Sequence, residues 1–478
     1  NTEQTLALVK IKDWFEDNVN KVFSLSGAFY TGKSKVIRAV VAEIVQGGMS
    51  PIYLAPNARI ANRYKSRGFS DVSSIYSWLY AGRPNDIRNG RAIFPVDRES
   101  VDPEKDVIIV FEAHLLGNEF FETETAVYGS GFILMDFINS LRGMDVNESQ
   151  KAQKSIELSD IPRILVVGDP YQLTRGAREK SLLGCQIFEQ QDIGFIKTEL
   201  NSQDRDVAAP IEMLDFQSAL IGQIKARKFV QLPICQQGSI KTISKGQQTD
   251  SIAKSLIQWP RRAAYLAPTN EAAQLVNNGI RVKYLGAPSR GLLVSGDIVD
   301  IHNRTPNIRA NEFDQVEIEW VNAGEFARVI ESTGVVQTKS ITLKGRESPV
   351  LVDFAQATIE YSGGVAEILY LPDFLMAAKP ELTQDQVIAL QIWAREDEIL
   401  PPEDRVKLAD AALIEQKQRL DAMGKEDASY HEALQQYKIR HNMLIMSSRY
   451  TNAARLRYAY ALTVHRAQAY DPLSRVIL

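Results

Sequence analysis

The sequence predicts an α/β protein: two regions built on parallel strands, with a small antiparallel β-barrel and charged helical segments inserted in the second. Three observations predict it. Short β-branched runs alternate with helical patterns over positions 1–205, the same alternation resumes near Ala263, and from about 291 to 375 Gly, Asn and Pro punctuate a series of short strands.

Length and charge bound the answer. With 478 residues and 45% apolar side chains, the chain has material for roughly three domains with cores of their own. Its 55 Lys+Arg against 59 Asp+Glu leave a formal charge of −4, so a nucleic-acid partner requires a locally basic channel. The apolar runs are short, such as 107–111, and none reaches the ~18 residues of a membrane span. Asn1-Thr2-Glu3-Gln4 lacks the basic and apolar parts of a signal peptide, and Cys185 and Cys235 make neither a disulfide framework nor a zinc site. A soluble protein of the reducing cytoplasm is the expectation.

In chain order, strands are expected at 22–26, 51–55, 107–111 and 163–168, each followed by a loop. A strand at 263–267 leads into a helix over 270–284. Strands at 297–302, 317–321 and 366–371 make the barrel. From Thr383 the chain is helical, and Val406, Ala409, Leu413, Leu420 and Met423 fall near one face of 402–424, a stripe that reads as core packing. Residues 458–464 and 475–478 return to β-type sequence.

Gly27-Ala28-Phe29-Tyr30-Thr31-Gly32-Lys33-Ser34 satisfies the phosphate-loop pattern GxxxxGK[ST], between an apolar run and a helical pattern as that motif requires. The glycines let backbone N–H groups turn toward phosphate oxygens. Lys33 supplies charge for the β- and γ-phosphates, and the Ser34 hydroxyl is placed for Mg²⁺. Downstream, the buried run ending in Phe111-Glu112-Ala113-His114 puts a carboxylate at a strand end, which makes Glu112 the candidate base for an attacking water. Gly168-Asp169-Pro170-Tyr171-Gln172 closes another strand, with Gln172 the candidate sensor of a γ-phosphate.

That ordered set resembles superfamily 1 DNA helicases, most closely the RecD-like and Dda-like branch that moves 5′ to 3′ on single strands. Gln4 matches the family's adenine-reading glutamine, and Pro56-Asn57-Ala58-Arg59-Ile60-Ala61 is similar to motif Ia. Ser74-Ile75-Tyr76-Ser77-Trp78-Leu79 resembles a Thr-Ile-His-Ser-Leu-Leu segment, with Tyr76 replacing His. Glu199 to Arg205 is similar to motif IV, and Ala323-Gly324-Glu325 to the tail of an Asn-Gly-Glu turn in the inserted barrel. Thr463-Val464-His465-Arg466-Ala467-Gln468-Ala469 resembles Thr-x-His-Lys-Ala-Gln-Gly.

The resemblance implies two RecA-like P-loop domains around one nucleotide cleft. Residues 1–205 make the first, 206–290 and 452–478 the second, with the barrel, SH3-like or OB-like, and its helices in 291–451. It implies an ATP hydrolase with ATP and Mg²⁺ as cofactors and single-stranded DNA or a DNA fork as partner. Lys33, Glu112, Gln172 and Arg205 would be catalytic, and Gln4, Gly27, Thr31, Gly32, Lys33 and Ser34 would hold the nucleotide, with Ser34 on the metal. Asn57, Arg59, Tyr76, Trp78, Thr463, His465 and Arg466 would meet DNA, and Arg63 is a further candidate. Arg449, Arg455 and Arg457 form a basic cluster of the kind that is more often a solvated face.

Phe111 stands where the family has a Mg²⁺-associated Asp, and an apolar ring there implies slow hydrolysis. On that ground the alternative is a nucleotide-gated DNA-binding or scaffold protein with weak or no ATPase. A Val-Thr-Arg-type arginine segment is expected further along than Leu478. Contacts of this sort grip phosphates and stack on bases without reading sequence, so affinity for a single strand is expected to fall at least about tenfold between roughly 50 and 200 mM salt. A titration at several salt concentrations checks it, and binding indifferent to salt would contradict it.

Overall fold

Strands that are apolar on both faces must be covered on both faces, and the N-terminal half of the chain builds the parallel sheet this demands. The computed structural model describes residues 2–80, 86–88, 91–97, 101–123, 126–142, 161–174, 176–203, 211–228, 254–261, 263–287, 291–310, 316–377, 381–399, 411–423, 429–467 and 475–477. Six strands lie in the order Ser73–Ser74, Ser50–Ala55, Asp106–Val110, Arg163–Gly168, Asn20–Gly27 and Gly194–Leu200. All five pairings are parallel.

Alternation divides the side chains between two layers. Phe23, Leu25, Val107, Ile109, Leu165 and Val167 pack under the helices Thr2–Phe15, Lys33–Gln46 and Ala58–Ser66. Val22, Ile108, Val110, Ile164 and Val166 pack on the other side with Ile75, Leu79 and the helix Ile133–Leu141. Phe111 continues the parity of Val107 and Ile109 and joins the first layer.

The chain forms two compact units. One comprises Asn1–Gly82, Phe94–Glu122 and Tyr128–Gln248, the other Arg83–Ile93, Thr123–Val127 and Thr249–Leu478. Helix Ile211–Ala226 belongs to the first, past the boundary at 205 drawn from the sequence. Lys225 ties it back by donating to Asn201 at 2.7 Å.

In the second unit Ala263–Ala267 is flanked by Ala461–Thr463 and Arg475–Ile477, both parallel to it. A second sheet is antiparallel, in the order Gln337–Ile341, Val350–Tyr361, Phe326–Ser332, Ile298–Ile301 and Leu456–Tyr458, with Gly364–Tyr370 also on Val350–Tyr361. Among the described residues the end strands of this order are not paired with each other, so this path does not by itself establish the small barrel expected from the sequence. The β-type run at 458–464 is likewise divided. Leu456–Tyr458 finishes the antiparallel sheet, the chain turns at Ala459 and Tyr460, and Ala461–Thr463 enters the parallel one. The helical region covers the far end of the antiparallel sheet, with Val387, Leu390, Trp393, Leu413 and Ile445 on Val352 and Phe354. Leu413 and Leu420 of the expected stripe are buried, and Val406 and Ala409 lie outside the described residues. Among the described residues no helix is long and apolar enough to cross a membrane.

The core of the second unit holds an ion pair. Arg281 and Asp297 are both fully buried, joined through Nε to Oδ1 at 2.8 Å and Nη2 to Oδ2 at 3.0 Å. The Arg281 guanidinium stacks over Tyr458 at 3.9 Å, and the Tyr460 hydroxyl donates to Asp297 at 3.0 Å. Removing one partner leaves a buried charge without its counterion. Arg281→Met is expected to cost about 3–5 kcal/mol, seen as a lower unfolding midpoint for this unit. A midpoint equal to the parent's would refute it.

Candidate active site

The phosphate loop is shaped by its glycines and by an unusual tyrosine. Gly27 ends its strand so close to Leu200 that a Cβ would lie 2.9 Å from the Leu200 carbonyl oxygen. Tyr30 (φ +65°) and Gly32 (φ +86°) both turn left-handed, and the Thr31 hydroxyl closes the turn on the Ala28 carbonyl at 2.9 Å. The helix Lys33–Gln46 starts directly after Gly32, which aims the N–H groups of its first residues back at the loop. Lys33 curls into the same loop, its Nζ donating to the Gly27 and Ala28 carbonyls at 2.7 Å each. Burial pulls its pKa below the ordinary lysine value, and the Asp169 and Glu112 carboxylates oppose that shift.

Gln4 touches this loop, donating to the Thr31 carbonyl at 3.2 Å, and a side chain on Gly32 would collide with its amide. Its neighbour Glu3 accepts from the Asn201 and Ser202 N–H groups at 2.8 Å each, bonds that hold its pKa low, the one from Ser202 first. Ser34 is exposed on the first turn. A cavity of about 190 Å³ adjoins the loop, lined by Ala28, Tyr171, Leu200, Asn201, Gln203 and Ile221 among others.

Strand order supplies the acidic groups. The strand ending at Gly168 is the immediate neighbour of the loop strand, with Ser26 opposite Gly168, and the strand before Glu112 lies next beyond it. Asp169 is 2% exposed. Its Oδ1 accepts from Tyr171 N–H at 2.9 Å and its Oδ2 from the Gln172 amide at 3.1 Å. Its own N–H donates to His114 Nδ1 at 3.2 Å, which leaves the ring proton on Nε2, a buried atom with no hydrogen-bond partner among the described residues. Burial lowers the His114 pKa and so favours the neutral ring, in keeping with Nδ1 as an acceptor.

Glu112 sits at φ +48° and ψ +41°, a left-handed residue costing about 1–2 kcal/mol. Its Oε1 accepts from Arg63 Nη2 at 2.6 Å and from the Tyr64 hydroxyl at 3.0 Å, and burial drives the Tyr64 pKa upward. Phe111 lies 1% exposed among aromatic rings. It stacks on Tyr64 with centroids 4.0 Å apart and 13° between planes, with Phe69 at 5.0 Å and Tyr53 at 6.0 Å. Phe111, which stands where the resemblance implies a Mg²⁺-associated Asp, is turned by sheet parity into the helix layer. Burying such a ring contributes about 1.5–3 kcal/mol, enough to offset the strain at Glu112.

The Ser34 hydroxyl, together with the phosphates of a bound nucleotide and water, would make a donor set that fits Mg²⁺, which takes few protein ligands and keeps several waters. Among the described residues there is no cluster of three or more His, Cys, Asp or Glu that would hold a metal without a nucleotide.

The remaining sequence candidates divide between the units. Asn57 caps helix Ala58–Ser66 by accepting from Ile60 N–H at 3.0 Å, with Arg59 half-buried two residues on. Tyr76 is half-buried against Tyr128 at 5.4 Å and Phe121 at 6.1 Å, whereas Trp78 packs on Phe137 beside the core. In the second unit Thr463 ends its strand, His465 is exposed, and Arg466 pairs with the fully buried Asp300 and abuts His302. Burial pushes the His302 pKa down to about 3. Arg457, from the expected basic surface, is instead 7% exposed and donates to the Ala377 carbonyl at 2.6 Å. Arg205 lies outside the described residues. Sequence reasoning missed Asp169, Tyr64 and His114 as parts of the site. Asp169 and His114 each stood inside a strand-end motif, but Tyr64 carried no signal.

No family model and no curated protein matches the chain. Among solved structures it is similar to unliganded Pif1 from Bacteroides sp, at 15% identity over 75% of this chain and 72% of that one, with a TM-score of 0.32. It is also similar to the Pif1 helicase from Candida albicans, at 11% identity over 78% of each, with a TM-score of 0.33. A likeness this faint says nothing of activity, so the reading of the site rests on its own geometry.

The geometry gives Phe111→Asp a definite sign. A carboxylate in that aromatic layer has no partner and removes the ring that Tyr64 stacks on. The variant is expected to lose about 3–5 kcal/mol, read as a lower melting temperature. A variant as stable as the parent would show that position 111 is open to solvent.

Proposed function

We propose that the chain is an ATP-driven translocase of single-stranded DNA, a DNA helicase of the superfamily 1 type in its 5′ to 3′ branch, built on two RecA-like domains. The observation that carries this is the loop itself: Lys33 is curled on the Gly27 and Ala28 carbonyls, with Asp169 and Glu112 on the next two strand ends. Such a site gathers phosphate charge on one side and water chemistry on the other.

In this reading Lys33 exchanges its carbonyl partners for β- and γ-phosphate oxygens, and first-turn N–H groups take the rest. Gln4, fixed on Thr31, reads the base side. Glu112 orients water, and Gln172, held by Asp169, reports the γ-phosphate to the strand-end turn. Arg205 adds positive charge. Ser34 would help hold Mg²⁺, which when bound would supply positive charge to the phosphates. Asn57 and Arg59 with Tyr76 and Trp78 on one unit, and Thr463, His465 and Arg466 on the other, are the groups that would each meet a single strand or fork.

Strand-stimulated hydrolysis is the decisive measurement. Lys33→Ala is expected to lower it at least about a hundredfold, because no other cation has its place in the loop. Unchanged turnover would refute the nucleotide site. Nucleotide binding without hydrolysis in the parent would favour a nucleotide-gated binding protein.

A further inference from the structure

The carboxylate assigned to water is already occupied. Glu112 Oε1 takes hydrogen bonds from Arg63 at 2.6 Å and Tyr64 at 3.0 Å, and both donors come from one helix, Ala58–Ser66. Its Oε2 stands 3.7 Å from His114 Nδ1, a nitrogen whose lone pair already accepts from Asp169 N–H. A base must turn a lone pair toward the water it deprotonates, and the charged bond from Arg63 is the strongest restraint on this one.

The same helix bears groups proposed to meet DNA. Arg59 lies one turn before Arg63, and Asn57 caps the helix. A guanidinium pairs with a carboxylate or with a phosphate through the same forked donors, so Arg63 can serve Glu112 or a strand. The Arg63 side chain is 12% exposed and that of Glu112 16%, which leaves the pair within reach of a ligand at the surface. Tyr64 has no such freedom. Its ring is clamped on Phe111, the residue before Glu112, and lies under the guanidinium groups of Arg63 at 5.7 Å and Arg67 at 5.8 Å.

We propose that Arg63 and Tyr64 are positioning residues that restrain Glu112 when no strand is bound, and that the phosphate backbone of a single strand releases it by taking Arg63. The proposal rests on the translocase reading. With Arg63 engaged by phosphate, Glu112 keeps one neutral hydrogen bond and turns to water. Phe111 thereby acquires a role of its own: its ring holds in place the tyrosine that touches the base.

The test is steady-state ATP hydrolysis by the full chain with and without an oligothymidylate strand, in the parent, Tyr64→Phe and Arg63→Gln. Tyr64→Phe keeps the ring on Phe111 and deletes the hydroxyl, so folding is preserved. Its strand-free kcat is expected to rise about 3- to 10-fold, with the KM for ATP unchanged and the strand-saturated rate within about twofold of the parent's. Arg63→Gln is expected to raise the strand-free rate as well and to need at least about fivefold more strand for half-maximal stimulation. Strand-free rates equal to the parent's in both variants would overturn the proposal, as would a change confined to KM. A parent without any strand-stimulated hydrolysis would overturn the translocase reading, and this inference with it. Lys33→Ala run alongside shows whether the turnover measured belongs to the phosphate loop.

Discussion

Parallel strands in a buried sheet all end on the same edge, and the site depends on that constraint. The loop after Gly27, the turn after Gly168 and the residue after Phe111 come from distant parts of the sequence, yet the strand order makes them neighbours. No long-range attraction has to bring Lys33, Asp169 and Glu112 together. Apolar pairing of the strands does so, and the polar groups occupy the loops that the sheet leaves outside its core.

Much of this was legible in the sequence. The phosphate loop declared itself because its chemistry requires particular residues at particular spacing, and the parallel strands showed as unbroken apolar runs. The contact of Gln4 with the Thr31 carbonyl, 27 residues away, is visible only in the fold. The placement of Phe111, by contrast, was legible: Val107, Ile109 and Phe111 share a parity, and parity assigns the ring to the helix layer. The pairing order of the antiparallel strands was not legible, because local alternation says where strands are and not which edges meet.

The contacts of Glu112 belong to a different class. Arg63 and Tyr64 lie 49 and 48 residues before it, and neither distance nor residue type announces a bond. Two buried or half-buried arginines in the second unit pose the same difficulty: Arg281 on Asp297 and Arg466 on Asp300 would pass in the sequence for surface charges. Charged side chains are the least predictable part of this chain. Their destinations depend on which carboxylate the fold delivers to them, and the net charge carries no trace of that choice.

The stack of Phe111 on Tyr64 bears on how such a protein can change over generations. A carboxylate at 111 and a ring packed face to face at 64 exclude one another, so the two positions are coupled rather than additive. A lineage that exchanged one without the other would pass through a form with a buried, unpaired charge or an empty slot in the aromatic layer. The pair is entrenched. Variation at 111 is open to selection in combination with residue 64, and through the Tyr64 hydroxyl that coupling extends to Glu112.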